Sequence, residues 1–214
     1  MLRRAFVFRK GSPGLMSRYD RAYFDRWYRA PRTRVFTRLE IERRVRFVLD
    51  AAEHVTEHPV RRVLDVCCGE GHWQPVIKRL RPNASYTGID VSEYAIERFG
   101  RRRNLRRGRF GELGTLGLEG PFDLIVCAGA LYYIDTPELA HGLCAIGELL
   151  EGVAFLEIFT EDDDLTGNIG DIRHRSAGEY ARLMRAARLR HLGLHLWVNQ
   201  ERAKELTEFE LGRR

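Results

Sequence analysis

The stretch that decides the fold is Val63-Leu64-Asp65-Val66-Cys67-Cys68-Gly69-Glu70-Gly71. It begins as a short apolar run that carries a carboxylate near its end, and it continues into a turn with two glycines. Glycine lets the backbone adopt positive φ and come close to a ligand. A buried strand that ends in such a turn indicates a site for a nucleotide-like ligand.

Two familiar nucleotide-binding loops do not fit this turn. The G-x-G-x-x-G fingerprint of dinucleotide sites, started at Gly69, requires glycine where Gln74 stands. The phosphate loop of NTPases ends in G-K-[ST], and this turn has neither lysine nor threonine to hold a triphosphate and its magnesium ion. The sequence therefore disfavours both an NAD site and an NTPase.

A second carboxylate follows in Gly88-Ile89-Asp90-Val91-Ser92, at the end of the next apolar segment. An aspartate at the end of a second strand can accept hydrogen bonds from both ribose hydroxyls. We therefore expect Asp90 to bind a ribose, with Val91 beside it in the same site. An alternative is that Asp90 only caps the next helix, although Ser92 is an equally good cap.

Beyond Pro59 the chain alternates between short apolar runs and helical patterns, which predicts an α/β fold with a parallel, doubly wound sheet. The last part departs from this alternation, because HLGLHLWV and KELTEFEL predict two strands of an antiparallel hairpin at one edge. The strands are expected in RRVLDVCC, SYTGIDV, residues 105–110, FDLIVCA and GVAFLEIFT, and the helices around residues 76–80, 93–99 (ending at Gly100), 136–150 and 177–187.

The first 58 residues are expected to form a tail and a helical extension. Residues 1–16 predict a flexible tail, and residues 17–58 predict an N-terminal helical lid that begins at Ser17 as its N-cap. Helical spacing places Tyr19, Tyr23 and Trp27 on one stripe of the first helix, with Phe24 and Tyr28 beside it. A second helix is expected over residues 38–54, with these inward residues: Leu39, Val45, Val48, Leu49 and Ala52.

Residues 64–71 resemble the first motif of the class I S-adenosylmethionine-dependent methyltransferases, approximately L-D-x-G-C-G-x-G. The resemblance extends over residues 60–211 and is strongest between 62 and 134. It implies a Rossmann-like, mostly parallel seven-stranded sheet over a methyltransferase domain of residues 59–214. Cys67 replaces the motif's first glycine, and positive φ at that position would cost on the order of 1 kcal/mol.

The resemblance implies S-adenosylmethionine as cofactor and S-adenosylhomocysteine as product. Arg109 stands where the family often has an adenine-binding aspartate, so that contact is expected from backbone beside Phe110 or from Glu112. The fourth strand matches the family's F-D-x-V, and its carboxyl end is expected to face the transferable methyl group. The residues expected to bind the cofactor are Asp65, Cys67, Cys68, Gly69, Gly71, Asp90, Val91, Phe110, Glu112 and Cys127.

The acceptor is harder to infer than the donor. Displacement at a sulfonium releases a neutral leaving group, so alignment of the reactants can supply roughly 7–11 kcal/mol and a catalytic base is optional. Tyr132 and His174 are the candidate groups that face the acceptor, each weighed against an ordinary structural role. Tyr19, Tyr23 and Trp27 can cover the donor as a lid or simply pack their helix onto the sheet.

Missing motifs narrow the chemistry. The [DN]-P-P-[YF] motif of amino-directed nucleic-acid methyltransferases is replaced by Cys127-Ala128-Gly129-Ala130, which disfavours methylation of adenine amino groups. The same stretch lacks the metal-binding aspartate of catechol methyltransferases. The four cysteines fit neither a zinc site nor a disulfide framework. We therefore expect no bound metal.

Charge leaves the choice of partner open. Residues 1–46 hold fourteen basic and four acidic residues, a balance of 14 − 4 = +10, and the rest of the chain carries 6 − 10 = −4. A basic block can steer nucleic acid or another acidic partner, or it can be the solvated face of helices. The two readings of the block are equally open, and we favour a small-molecule acceptor. The alternatives are an RNA or protein methyltransferase and a catalytically inert cofactor-binding homologue.

Composition also bears on location. The longest apolar stretch near the start is residues 5–8, and no run approaches the ~18 apolar residues of a spanning helix. We expect a cytoplasmic protein with no membrane partner. The oligomeric state is not indicated by any pattern in the sequence.

Overall fold

The computed structural model describes residues 19–163 and 171–212, so the expected tail and Ser17 lie outside the described residues. Seven strands form one sheet in the order β3-β2-β1-β4-β5-β7-β6. The strands are β1 (Arg62–Val66), β2 (Ser85–Asp90), β3 (Leu105–Arg107), β4 (Phe122–Cys127), β5 (Leu150–Leu156), β6 (Leu189–Gly193) and β7 (Leu196–Asn199).

The sheet is parallel from β3 to β5, as the alternating pattern predicted. The central strand β1 pairs in parallel with β2 on one side and with β4 on the other. The strand order reverses at β1, so the loops after β1 and β4 meet at one edge of the sheet. In doubly wound folds a ligand binds at this point of reversal. The predicted doubly wound fold is confirmed.

The antiparallel hairpin is present, but the residues predicted for its two strands were wrong. HLGLHLWV was expected to be one strand, yet it contains the end of β6, the turn and most of β7. Gly193 pairs with Leu196 across a two-residue turn, and the turn residues Leu194 and His195 both have positive φ. Such a turn usually carries Asn-Gly, so Leu-His gave no turn signal. KELTEFEL is not a strand and follows a short helix.

Helices cover both faces of the sheet. Successive residues of β4 alternate between two buried clusters, as expected for a strand covered on both sides. Within the described residues no helix is long and apolar enough to cross a membrane. The α-helices are α1 (Arg21–Phe24), α2 (Arg38–Thr56), α3 (Gln74–Leu80), α4 (Glu93–Arg103), α5 (Thr136–Leu149), α6 (Ala177–Ala186) and α7 (Gln200–Ala203).

Helix α2 packs its inward face into the same buried cluster as β1 and β4. Val45, Val48, Leu49 and Ala52 are buried, as expected. Leu39 is 57% exposed, so its predicted inward position is wrong. It lies in the first turn of α2, before the helix reaches the sheet. The division at residues 58 and 59 stays a prediction.

The expected end of α4 at Gly100 is also wrong. The helix continues to Arg103, and Asn104 ends it in the left-handed conformation. A Cβ on Gly100 would lie 3.2 Å from the Leu105 carbonyl oxygen. This glycine therefore permits close packing of the chain that leads into β3. Strand β3 itself ends at Arg107, because a 3-10 helix starts at Phe110.

Replacing Gly142 in α5 by alanine should destabilise the protein. A helical glycine normally costs about 1 kcal/mol relative to alanine, but here a Cβ would lie 2.1 Å from Phe110 Cδ1 and 2.4 Å from its carbonyl oxygen. We expect Gly142→Ala to lower the free energy of unfolding by about 1–3 kcal/mol in urea denaturation. At exposed Gly178, whose Cβ would make only an ordinary contact 3.9 Å from Ser176 Oγ, the same change should be neutral or stabilising. Equal effects at both positions would contradict this account.

Candidate functional site

The turn after β1 has the backbone that the sequence predicted for a ligand loop. Gly69 and Gly71 have φ of 54° and 69°, and Cys67 has φ of 55°. The Cys68 N–H donates to the Ile89 carbonyl at 3.1 Å, and this bond ties the turn to the neighbouring strand β2. Cys67 therefore adopts the left-handed conformation that the motif's glycine would adopt without strain.

Asp90 joins this turn to the end of β2. Its Oδ2 accepts a hydrogen bond from the Gly69 N–H at 2.7 Å, and its Oδ1 accepts from the Ser92 N–H at 2.8 Å. The side chain is buried, and burial raises its pKa in spite of these backbone bonds. Ser92, not Asp90, caps α4 by accepting from the Ala95 N–H. A carboxylate has about four acceptor positions, and the backbone N–H groups of Gly69, Val91 and Ser92 act on this one, so acceptor capacity remains for a ribose hydroxyl.

Asp65 lies below the turn. It is buried, and its Oδ2 accepts a hydrogen bond from the Tyr86 hydroxyl at 2.6 Å. Burial raises the pKa of Asp65 to about 7, although the bond from Tyr86 acts in the opposite direction. Burial likewise raises the pKa of the neighbouring Cys68 thiol. These groups support the turn from beneath, and their role as direct cofactor contacts stays a prediction.

The residues expected beside adenine, Phe110 and Glu112, lie in one 3-10 helix after β3, and their contact with adenine stays a prediction. The Phe110 ring points into the core, where it packs against Gly142 of α5. Glu112 is exposed and accepts a hydrogen bond from the Arg109 N–H within the cap of the 3-10 helix. Arg109 forms an ion pair with Glu138 of α5. Val91 is 38% exposed next to Asp90, so it presents an apolar surface there.

The N-terminal segment covers the glycine turn directly. Helix α1 is capped by Asp20, which accepts from the Tyr23 N–H, and it continues as a π-helix over Asp25–Arg29. Buried Phe24 packs on the turn, since a Cβ on Gly69 would lie 3.1 Å from its Cε1. Tyr28 stacks on His72, with ring centroids 5.2 Å apart. These two rings were expected only beside the lid stripe.

The three residues expected to form the lid lie around these rings. Tyr23 contacts the rings of Tyr19 and Trp27, and it interacts electrostatically with Asp90. The Tyr19 carbonyl accepts a hydrogen bond from the Ser92 hydroxyl at 2.6 Å. Trp27 is buried, with the Arg26 guanidinium 4.8 Å from its ring centroid. Burial raises the pKa values of both Tyr23 and Tyr28.

An ion pair fastens the lid to the turn. Arg29 Nη2 donates to Glu70 Oε1, and His72 Nε2 lies 3.2 Å from Glu70 Oε2. The Glu70 side chain is 1% exposed. Burial acts to raise its pKa, but the bonds from His72 and Arg29 outweigh burial and lower it. No role for Glu70 was predicted, because its only signal in the sequence is a charge between the two glycines.

The acceptor-facing candidates occupy the loops after β4 and β5. Cys127 is buried at the end of β4 and interacts with Cys67, so it lies next to the glycine turn. Tyr132 follows in a short 3-10 helix, and burial raises its pKa. His174 is exposed, although its neighbour Arg173 donates to the Tyr132 carbonyl at 2.7 Å. The assigned roles of Tyr132 and His174 stay predictions.

Sequence reasoning missed two further charged residues near Tyr132. Glu157 follows β5, and its N–H donates to the Cys127 carbonyl at 3.0 Å. Arg44 of α2 forms an ion pair with it, with 2.7 Å between Nη2 and Oε1. The available signal was an acid at the end of an apolar strand, the same signal that singled out Asp65 and Asp90. Arg44 gave none, because nothing in the sequence linked α2 to β5.

The site fits S-adenosylmethionine in its chemistry. The turn lets backbone approach a ligand, Asp90 retains acceptor positions for ribose hydroxyls, and Val91 offers an apolar surface beside it. Aromatic rings of the N-terminal segment close the site from above. The loops after β4 and β5 border the same edge of the sheet. Such an arrangement can hold a donor and present its reactive group to an acceptor.

Substitutions at Cys67 should reveal backbone strain in the turn. Cys67→Gly and Cys67→Ala both remove the thiol, but only glycine relieves the positive φ. We expect the glycine variant to be more stable than the alanine variant by about 1 kcal/mol in urea denaturation. At exposed Cys144 within α5 the order should reverse, with alanine more stable than glycine by about 1 kcal/mol. The same order at both positions would refute strain at Cys67.

Asp65→Asn should change how stability depends on pH. The pKa of Asp65 is raised, so the folded protein holds this proton more tightly than the unfolded chain. Its stabilising contribution is complete below about pH 4 and is lost as pH rises through about 7. Relative to the asparagine variant, the natural protein should lose up to about 4 kcal/mol of unfolding free energy over that range. Parallel curves from pH 4 to 8 would contradict the raised pKa.

Comparisons with known proteins agree with this geometry. A family model described as "Methyltransferase domain" matches residues 24–209. The sugar N-methyltransferase KedS8 from Streptoalloteichus sp. superposes with a TM-score of 0.64 at 15% identity, covering 90% of this chain and 97% of that one. DesVI from Streptomyces venezuelae gives a TM-score of 0.60 at 17% identity, with 74% and 92% covered.

Two further known proteins are similar to this chain. CalS10, described as an amino pentose methyltransferase from Micromonospora echinaspora with S-adenosylmethionine bound, gives a TM-score of 0.57 at 16% identity, with 73% of this chain and 89% of that one covered. An uncharacterized protein from Synechococcus sp. is 34% identical over 105 residues, which is 46% of this chain. The chain spans about a quarter of the length of that curated relative.

The family model spans most of the chain, and the sheet order and glycine turn have the form that the first motif implied. The protein therefore belongs to the class I S-adenosylmethionine-dependent methyltransferases, and S-adenosylmethionine is its cofactor.

Proposed function

We propose that this methyltransferase acts on a small-molecule acceptor and works by aligning donor and acceptor under a closed aromatic lid. The observation that carries the proposal is the direct packing of Phe24 and Tyr28 on the glycine turn. A lid this close leaves a narrow site, which suits a small acceptor better than a folded macromolecule. The similarity in fold to enzymes described as acting on sugars supports the same conclusion.

The charge distribution also favours a small acceptor. Basic residues from the N-terminal block form ion pairs with acids of the same chain: Arg21 and Arg29 with Asp25, Arg29 with Glu70, Arg44 with Glu157, and Arg46 with Glu42. A guanidinium held by a carboxylate contributes less to an electrostatic attraction for phosphates. These four arginines therefore have acidic partners within the fold, which supports a small acceptor over an RNA acceptor.

In this proposal the protein contributes position and a dry environment. When bound, S-adenosylmethionine would supply a methyl group on a sulfonium, and in-line attack by the acceptor on that methyl group would release the neutral thioether. Asp90 would hold the ribose, the turn would fix the neighbouring part of the ligand, and Phe24 and Tyr28 would exclude water. Holding both reactants in line can supply roughly 7–11 kcal/mol of the barrier. Cys127 and Gly129, at the end of β4, would face the transferred group.

Asp90→Asn should weaken donor binding. The change removes a charge that is expected to accept from ribose hydroxyls, so the Kd for S-adenosylhomocysteine should rise by at least about tenfold in titration calorimetry. Asp123→Asn is the matched control, because Asp123 also accepts from two backbone N–H groups, those of Arg61 and Arg62, both at 2.7 Å. Asp123 lies near the amino end of β4, so the Kd of the Asp123→Asn variant for S-adenosylhomocysteine should equal that of the natural protein.

The calorimetry also separates the alternatives. No heat with S-adenosylhomocysteine on folded natural protein would refute the proposed function. Binding of this ligand without methylation of any member of a metabolite library would favour an inert homologue. Binding to RNA with a steep salt dependence, together with RNA methylation, would favour the macromolecular alternative.

A further inference from the structure

We propose that Glu157 and Tyr132 bind the methyl acceptor, and that the acceptor group is an amine. This inference rests on the proposed function and specifies its substrate class. Glu157 directly follows β5, and Tyr132 lies in the loop after β4, so both stand at the edge of the sheet that carries the glycine turn. Glu157 is an acid at the end of an apolar strand, as Asp65 and Asp90 are, but it belongs to none of the motifs found in the sequence.

Glu157 has one carboxylate oxygen without a partner. Its Oε1 pairs with Arg44, while its Oε2 is buried and has no hydrogen bond within the part of the chain that the structure describes. The Arg44 guanidinium is itself held over the ring of Phe36, 4.4 Å from the centroid, and 5.6 Å from that of Phe155. A buried acceptor left unsatisfied is costly, and in native proteins it often marks a functional site.

The free oxygen and the Tyr132 hydroxyl border one small space. Gly129 follows β4 with φ of 72°, and a Cβ built on it would lie 3.7 Å from both Glu157 Oε2 and the Tyr132 hydroxyl oxygen. Glycine therefore keeps open the point toward which both oxygens converge. Phe159 packs between Tyr132 and His195, with ring centroids 5.7 Å and 5.8 Å away, and closes one side of this space.

The space adjoins the donor site. Strand β4 pairs with β1, and buried Cys127 at its end interacts with Cys67 of the glycine turn. Tyr132 interacts electrostatically with Tyr23 and Tyr28 of the lid. A group held between Glu157 and Tyr132 would therefore lie between the lid and the end of β4, where an acceptor must sit to meet the donor.

The chemistry of these oxygens selects the acceptor class. A carboxylate only accepts hydrogen bonds, so the acceptor must present an N–H or O–H group to Glu157. A carboxylate is too weak a base to deprotonate an aliphatic hydroxyl, whereas a neutral amine attacks without prior loss of a proton. Its nitrogen lone pair forms the new N–C bond, the C–S pair stays on sulfur, and the product ammonium carries the positive charge that the sulfonium loses. One N–H proton then leaves to solvent.

The test uses three variants of the full chain: Glu157→Gln, Tyr132→Phe and, as a control, Glu151→Gln, an exposed glutamate at the other end of β5. The probes are matched pairs of an amine and an alcohol, such as glucosamine with glucose and tyramine with its alcohol analogue. Two readouts are compared, methylation with S-adenosylmethionine and the thermal shift that each probe adds to the S-adenosylhomocysteine complex.

We expect amines, and not their alcohols, to be methylated and to stabilise the complex. Glu157→Gln should raise the KM for the amine by about tenfold or more, Tyr132→Phe by less, and Glu151→Gln not at all. All three variants should keep the Kd for S-adenosylhomocysteine within about twofold of the natural value, which a general structural defect would not. If Glu157→Gln fails to fold because Arg44 loses its partner, Tyr132→Phe must still show its smaller rise in KM with an unchanged Kd for S-adenosylhomocysteine.

Methylation of alcohols in place of amines would overturn the inference. Identical KM values for the Glu157→Gln and Glu151→Gln variants would do so too, as would normal S-adenosylhomocysteine binding with no response to any amine at millimolar concentration. Loss of S-adenosylhomocysteine binding by the natural protein would instead refute the proposed function itself, so the two failures are distinguishable.

Discussion

The hydrogen bond from the Gly69 N–H to the Asp90 carboxylate joins the ends of two neighbouring strands, and the geometry of the site depends on it. It fixes the turn after β1 against β2 while leaving acceptor positions on the same carboxylate. The positive φ values at residues 67, 69 and 71 let the chain turn tightly enough to bring that N–H to Asp90. The N-terminal lid packs on this turn. The position of the lid therefore depends on the turn, and the position of the turn depends on the sheet.

Local chemistry made the turn and the sheet predictable from sequence. A strand covered on both faces reads as an apolar run, and a carboxylate or glycine at its end stands out against that run. The strand order followed from the resemblance. The hairpin was misplaced because a Leu-His pair occupies a turn that normally carries Asn-Gly, so the chain reversed without a recognisable signal.

The contacts of the lid and the ion pair between Glu157 and Arg44 could not be predicted from sequence in this way. In the lid, the π-helix over Asp25–Arg29 adds a residue to the turn, as the bond from the Ala30 N–H to the Asp25 carbonyl shows. Helical spacing placed Phe24 and Tyr28 beside the predicted stripe, and no local pattern indicated that these two rings are the ones that meet the turn. Arg44 and Glu157 are separated by more than a hundred residues, and only the packing of α2 beside β5 brings their charges together.

The ion pair between Arg29 and Glu70 affects how a ligand enters and leaves the site. It spans the seam between the N-terminal segment and the turn, and its carboxylate is almost fully shielded from water. A ligand that passes through this seam must first separate the two charges and rehydrate them. Exchange at this seam is then limited by an opening event of the protein, so release becomes slower as this one contact becomes stronger.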